Sequence, residues 1–286
     1  MAWLPRRLAL SRDPGAGTLD TTGDGRQPGP HATSRGLAVA GTTCLVTGAS
    51  GGIGAATARR LARSGARLVL HGRDRAMLNL VAEETSGVPV VGDLTTPGTI
   101  EAVVAEAEER LGPLDVVVST AGAGWAGHFV EMEPERIQEL LTLNLHAPVQ
   151  LARAVLPGMV ARGRGHLVLV GSIAGHLGVR QEAVYSAAKS GLAGLAAALN
   201  DEVASAGVGV SLVSPGVVAT AFFERRGRPY DRALPRPIHA DRVAAAVEQA
   251  VTEGRSRVIV PAWMELPVAL ATLAPSLYRR LATRFG

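Results

Sequence analysis

Residues 43–62 read TCLVTGASGGIGAATARRLA. Thr43 to Thr47 is a short apolar run rich in β-branched residues, the composition of a buried strand. The string Thr47-Gly48-Ala49-Ser50-Gly51-Gly52-Ile53-Gly54 follows, and its glycines let the backbone turn tightly and approach a ligand closely. An Ala-rich helical stretch then runs from about 52 to 64. A strand, a glycine turn and a helix in that order set unpaired N–H groups and a positive dipole end where a pyrophosphate binds. No Gly-Lys-Ser/Thr follows, which argues against a nucleoside triphosphate loop.

The same grammar continues outward. Further strands are expected at Arg67 to His71, Val88 to Gly92, Asp115 to Ser119, His166 to Gly171, Gly209 to Ser214 and Arg257 to Val260. Helical stretches lie between them near 52–64, 74–85, 97–111, 134–162, 183–206 and 240–253. The strands are apolar throughout and do not alternate, as expected when helices cover both faces of a parallel sheet. Seven strands in about 220 residues make one Rossmann-type, doubly wound α/β domain, residues 37–262, with a seven-stranded parallel sheet flanked by helices. Residues 1–36, dense in Gly, Pro, Arg and Thr, read as a disordered lead-in. The only apolar stretch after Arg6 and Arg7 is Leu8 to Leu10, too short for a signal peptide. Residues 263–286 read as an amphipathic tail.

Composition closes several classes. With 47% hydrophobic and 19% charged residues, the 286-residue chain can bury a large core. Aromatics are only 3%, which disfavours stacking platforms for single-stranded nucleic acid. The net charge of +4 is concentrated in residues 222–286, so no basic face spans the core and nucleic acid is not an expected partner. The single cysteine, Cys44, excludes an intramolecular disulfide framework and a cysteine zinc site, and fits a reducing, cytoplasmic compartment and a place in the core. No metal site is read.

The second strand ends in His71-Gly72-Arg73-Asp74, where this fold meets the adenosine ribose. An acidic residue at the strand end favours a free 2′-hydroxyl, whereas a nearby arginine suits a 2′-phosphate. His71 holds that end and Arg73 follows, so NADP is favoured and NAD remains the alternative. Asp93-Leu94, after the third strand, is placed to meet the adenine ring or to cap a helix.

Of the 29 basic residues, only Lys189 is lysine. It lies four residues after Tyr185, so in a helix the two side chains share one face. An ammonium beside a phenol stabilises the phenolate and brings tyrosine closer to acid/base work at neutral pH. Arginine keeps the charge but not the compact ammonium geometry. Ser172 ends the fifth strand, at the carboxyl edge where ligands of open α/β sheets bind.

In these motifs the chain resembles the short-chain dehydrogenase/reductase family over roughly residues 40–262. The matching pieces are Thr47-Gly48, Ser50, Gly52-Ile53-Gly54, Asp93-Leu94, Ala121-Gly122, Asn144, Ser172, Tyr185, Lys189, Pro215-Gly216 and Thr220. The resemblance implies a nicotinamide-dependent oxidoreductase acting on a carbonyl or secondary alcohol. In it Tyr185 is the general acid/base, Lys189 lowers its pKa and bonds the nicotinamide ribose, and Ser172 orients the substrate oxygen. Asn144 holds a relay water and Thr220 bonds the carboxamide. The resemblance also implies a homodimer or homotetramer, which agrees with the small residues Ala187, Ala188, Gly191, Ala193 and Gly194. Two departures stand out. Thr120 replaces the usual asparagine before Ala121-Gly122, and Gly51 stands where many NADP-dependent relatives carry a basic residue.

Trp125, His128, His176, Leu177, Val179, Phe222, Phe223 and Tyr230 are expected to shape an apolar pocket, with Gly216 to His239 as a lid over it. In the tail, Leu266, Leu270, Leu273, Leu277 and Leu281 with Arg279, Arg280 and Arg284, broken by Pro267 and Pro275, allow contact with a membrane surface or packing on the domain or a partner subunit. Two rivals to the enzyme reading are a catalytically silent nucleotide-binding regulatory protein on the same fold and a membrane-associated scaffold.

Overall fold

The computed structural model describes residues 36–232 and 234–285; the expected lead-in, residues 1–36, lies outside them apart from Gly36. The first half alternates strand and helix: β1 (Thr43–Thr47), α1 (Gly52–Arg63), β2 (Arg67–Gly72), α2 (Arg75–Thr85), β3 (Val88–Val91), α3 (Thr99–Leu111) and β4 (Val116–Ser119). Next come α4 (Pro134–Leu141), a π-helical turn (Thr142–His146), α5 (Ala147–Arg162), β5 (Gly165–Val170), α6 (Ala174–Leu177) and α7 (Ala183–Val203). The chain continues through β6 (Val208–Pro215), α8 (Phe222–Arg225), α9 (Ala240–Glu253), β7 (Arg257–Val260), α10 (Glu265–Leu273) and α11 (Pro275–Phe285).

All seven strands pair in parallel in the order β3-β2-β1-β4-β5-β6-β7. The chain builds outward from β1 to β3, then crosses to the other side of β1 to lay down β4. That reversal opens a crevice at the carboxyl ends of β1 and β4, the switch point where ligands of such sheets bind. β1 shows why the strand sequences do not alternate. Cys44 and Val46 join the core under α1 and α9, while Leu45 joins the core under α3, α5 and α7. Cys44 is a buried core residue as expected, and burial pushes its thiol up to about 12.

Three features differ from the sequence reading. The helix expected over 134–162 is interrupted by the π turn, which widens the helix by one residue at Asn144. Pro267 does not break the tail, because it falls in the first turn of α10, where no intrahelical bond needs its missing N–H; Pro275 instead opens α11. The segment after β6, read as a lid, carries regular structure that the sequence did not signal: α8 and a bridge between Val218 and Ile238. Met264 and Val268 pack with Ile173 and Ile259, so the start of the tail is seated on the domain.

Two histidines inside the sheet are held neutral. His166 Nε2 donates to Ser211 Oγ at 2.7 Å, and Ser211 donates to the Arg255 carbonyl at 2.6 Å. His71 Nε2 donates to the Gly92 carbonyl at 3.1 Å. Burial lowers both from 6.5 to about 4. Below pH 6.5 the unfolded chain binds protons that these folded histidines refuse, so stability is lost as pH falls from 6.5 towards 4. The urea midpoint is expected to drop across that window, and His166→Gln, which keeps a donor to Ser211, should flatten the drop. An equal drop in the variant would remove His166 as a cause.

Candidate active site

The glycine turn is built for close approach. Gly48 and Gly52 have φ of +69° and +54°, conformations that side chains disfavour. A Cβ on Gly54 would collide with the Gly48 carbonyl and come within 2.6 Å of Thr120 Oγ1. α1 starts without a side-chain cap and without an acidic residue in its first turn, so its N–H groups and dipole are left for an anion. These residues fit a dinucleotide pyrophosphate.

Thr120 answers the first departure. Its hydroxyl donates to the Thr47 carbonyl at 2.5 Å, and its own N–H donates to Thr47 Oγ1 at 3.2 Å. A hydroxyl thus ties the end of β4 to the end of β1, beside the glycine turn. Thr47 stands behind this tie, buried, and does not face the crevice.

One cleft of about 1590 Å³ runs along the carboxyl edge of the sheet. Apart from Thr47, every expected site residue lines it: Gly48, Ser50, Gly52, Ile53, Gly54, Arg73, Asp93, Leu94, Ala121, Gly122, Asn144, Ser172, Tyr185, Lys189, Pro215, Gly216 and Thr220. At the end bordered by β2 and β3, Arg73 is 65% exposed and lies 3.4 Å from Asp93. Asp93 also accepts from Thr95 N and Oγ1 at 2.9 and 2.7 Å, so its carboxylate fixes a turn as well as bordering the cleft. Asp74 caps α2 through Met77 N at 3.0 Å.

At the other end, Ser172 Oγ accepts from Ala174 N at 3.1 Å and stands close enough to the Tyr185 phenol to act on its proton. Lys189 Nζ donates to the Val170 carbonyl at 3.0 Å and lies 5.8 Å from the Tyr185 ring centroid. Burial draws the lysine down to about 8. It pushes the tyrosine up, against the opposing influence of the Ser172 hydroxyl. The lowering expected from Lys189 does not show: dehydration sets the direction for both groups. Asn144 Nδ2 donates to the Ala123 and Leu140 carbonyls at 2.9 and 3.0 Å, while its buried Oδ1 has no partner. A Cβ on Gly122 would lie 2.8 Å from Asn144 Oδ1 and 3.8 Å from Lys189 Nζ, so the missing side chain keeps open a space that both groups face.

With this geometry, the match of residues 42–231 to the family model described as short chain dehydrogenase settles the family. The chain is a short-chain dehydrogenase/reductase. It is 32% identical over 265 residues to the ketoacyl reductase HetN of Nostoc sp., covering 86% of this chain and 90% of that one. Among solved structures it resembles a short-chain dehydrogenase from Sphingobium yanoikuyae in complex with NADPH, at 32% identity and a TM-score of 0.72, covering 81% and 94% of the two chains. A Burkholderia phymatum family member in complex with NAD shares the fold at a TM-score of 0.77 and 22% identity, covering 84% and 96%. This short-chain dehydrogenase/reductase is thus an oxidoreductase with a nicotinamide cofactor.

The substrate end is only partly as expected. Leu177, Val179, Phe222, Phe223 and Tyr230 line the cleft, whereas Trp125, His128 and His176 do not. Trp125 packs with Met132, Leu140 and Val184. His128 is exposed, and His176 turns to Ser214 Oγ at 2.9 Å. Sequence reading missed Met264, Pro267, Leu270 and Tyr278, which reach the same cleft from the C-terminal helices. It also missed a buried ion pair between Glu182 and Arg226; no spacing signal joins residues so far apart.

Thr120→Val removes the hydroxyl that satisfies the buried Thr47 carbonyl and should cost about 1–3 kcal/mol in urea unfolding, while Thr120→Ser should stay near the parent. Equal stability of the valine variant and the parent would show that the tie is dispensable.

Proposed function

We propose that this enzyme is an NADP(H)-dependent carbonyl reductase acting on an apolar ketone, with Tyr185 as general acid. The observation that carries this reading is the buried Tyr185 phenol standing with Ser172 and Lys189 in one cleft at the carboxyl edge of β5, kept in its acid form by burial. A protonated phenol is the form needed to deliver a proton to a carbonyl oxygen as it gains negative charge. The bound nicotinamide supplies or accepts the hydride.

The chain's own groups do the rest. Ser172, its oxygen fixed by Ala174 N–H, has its own proton for the substrate oxygen. Lys189 keeps two N–H donors beyond the one given to Val170, for a ribose hydroxyl and for a water bridging to Asn144 Oδ1. Such a relay returns a proton to the phenol after each reduction. Thr220, which lines the cleft with its Cγ2 3.4 Å from where a Cβ on Gly52 would lie, is assigned to the carboxamide, and its nearness to the glycine turn supports that role. Arg73 supports the 2′-phosphate of NADP, since its exposed guanidinium borders the adenosine end of the cleft beside one carboxylate. The ketoacyl reductase relative and the apolar side chains Leu177, Val179, Phe222 and Leu270 support a hydrophobic ketone.

Two surfaces bear on partners. α7 leaves Ala187, Gly191 and Gly194 exposed, which supports a homo-oligomer through close helix contact. Trp263, Leu266 and Leu273 stand exposed on the C-terminal segment, the last at 84%, and α11 adds arginines. These features support peripheral contact with anionic lipid; among the described residues no helix is long and apolar enough to cross a membrane.

Tyr185→Phe should bind NADPH normally and lose ketone reduction by about 100-fold or more, measured by NADPH oxidation with a panel of ketones; near-normal turnover would refute the mechanism. Arg73→Ala should raise the Kd for NADPH at least about tenfold more than that for NADH, and equal losses would reverse the cofactor assignment.

A further inference from the structure

Glu182 and Arg226 meet at the start of the helix that carries the reactive phenol. Glu182 immediately precedes α7, three positions before Tyr185, and Arg226 immediately follows α8. The two form an ion pair whose side chains are only 13% and 8% exposed. Arg226 is fixed from two further sides: its Nε donates to the Arg228 carbonyl at 2.9 Å, and its guanidinium lies 4.5 Å from the Phe223 ring centroid. The neighbouring contacts run the same way. Arg228 Nη1 donates to Gln181 Oε1 at 2.6 Å, Ala126 N to the Arg226 carbonyl at 3.3 Å, and Gly127 N to the Gln181 carbonyl at 3.0 Å. The end of α8 is thereby fastened to Gln181 and Glu182 before α7 and to Ala126 after β4.

The fastening sets an aromatic wall against the phenol. The Phe222 ring lies 5.5 Å from the Tyr185 ring, tilted by 51°. It fits there because Gly124 has no side chain; a Cβ would come within 2.6 Å of Phe222 Cζ. Burying an ion pair gains little stability once desolvation is counted, so stability alone is a weak reason for a pair at this place. The charged and polar groups acting on the phenol are Ser172 from the end of β5, Glu182 from the start of α7, Lys189 one turn further along α7, and Arg226 from the lid. Phe222, the nearest ring of α8, brings no charge.

We propose that Glu182 and Arg226 are positioning residues for the Tyr185 phenol, holding α8 down on it and balancing opposite charges beside it, so that breaking the pair changes the tyrosine's protonation as well as the fit of the lid. The proposal rests on the reading of Tyr185 as the acid/base. Glu182 strengthens the phenol's hold on its proton and Arg226 weakens it. Burial pushes the Glu182 carboxyl up, while Arg226 and then Arg232 draw it back. Neutralising one partner leaves the other's charge uncompensated against Tyr185, and neutralising both removes the imbalance.

The test follows the phenol itself, without a substrate. The chain has three tyrosines, so ¹³Cζ-tyrosine NMR of the full chain saturated with NADP⁺ gives three signals, and Tyr185→Phe assigns the one of interest. In Glu182→Gln the Tyr185 signal should ionise about one pH unit below the parent, and in Arg226→Met about one unit above it. The double variant Glu182→Gln/Arg226→Met should return close to the parent, a rescue that a purely structural latch does not produce. If Arg226→Met fails to fold, Glu182→Gln and the double variant, in which no buried charge is left unpaired, still decide the matter. Ionisation in Glu182→Gln at no lower pH than the parent overturns the proposal, including the case in which neither ionises before alkaline unfolding. Turnover by Tyr185→Phe would sink the function reading instead, and this titration does not depend on it.

Discussion

The site depends on one hydrogen bond: the buried Lys189 ammonium donating to the carbonyl of Val170, the last residue of β5. It anchors α7 to the sheet at the point where the strand stops and Ser172 begins the next turn. Tyr185, one helical turn earlier, is thereby carried over the carboxyl edge beside Ser172. The close approach continues in α6, where a Cβ on Gly175 would lie 2.7 Å from the Lys189 carbonyl. Without that anchor the phenol and the serine would sit on independent elements, and the geometry that distinguishes a reactive centre from a nucleotide cradle would be lost.

Burial explains the electrostatics more fully than pairing does. The same dehydration pushes the tyrosine up and draws the lysine down to about 8. At neutral pH this leaves a neutral acid beside a cation that still carries most of its charge, a combination suited to giving a proton to a carbonyl oxygen. The charges within reach come from several elements, and each is tied down: Lys189 by a carbonyl, Glu182 by Arg226, and Arg226 by Arg228 and Phe223. The site that dries the tyrosine and the lysine thus also gives Lys189, Glu182 and Arg226 fixed partners.

Much of this was legible in the sequence, for identifiable reasons. The strand run Thr43 to Thr47, the glycine turn after it and the regular alternation that follows encode local geometry, and they gave the parallel sheet. Lys189 was conspicuous because composition made it unique and spacing put it one turn from Tyr185. What could not be read were effects of the third dimension. The π turn at Asn144 depends on packing, Trp125 and His176 turned away because neighbouring groups drew them elsewhere, and His128 stands exposed. The C-terminal helices reached the substrate end through a route that no motif marks. The sign of the tyrosine shift was missed for the same reason, since charge spacing is visible in a sequence and burial is not.

The account rests on an ammonium, and not merely a positive charge, standing at the end of β5. Lys189→Arg tests that most directly, measured as NADPH-dependent ketone reduction alongside thermal unfolding. The planar guanidinium cannot reproduce the compact ammonium that donates to Val170 and keeps two further N–H donors, so a folded variant with turnover reduced by about 100-fold or more is the expected result. A folded Lys189→Arg enzyme with turnover near that of the parent would contradict the account.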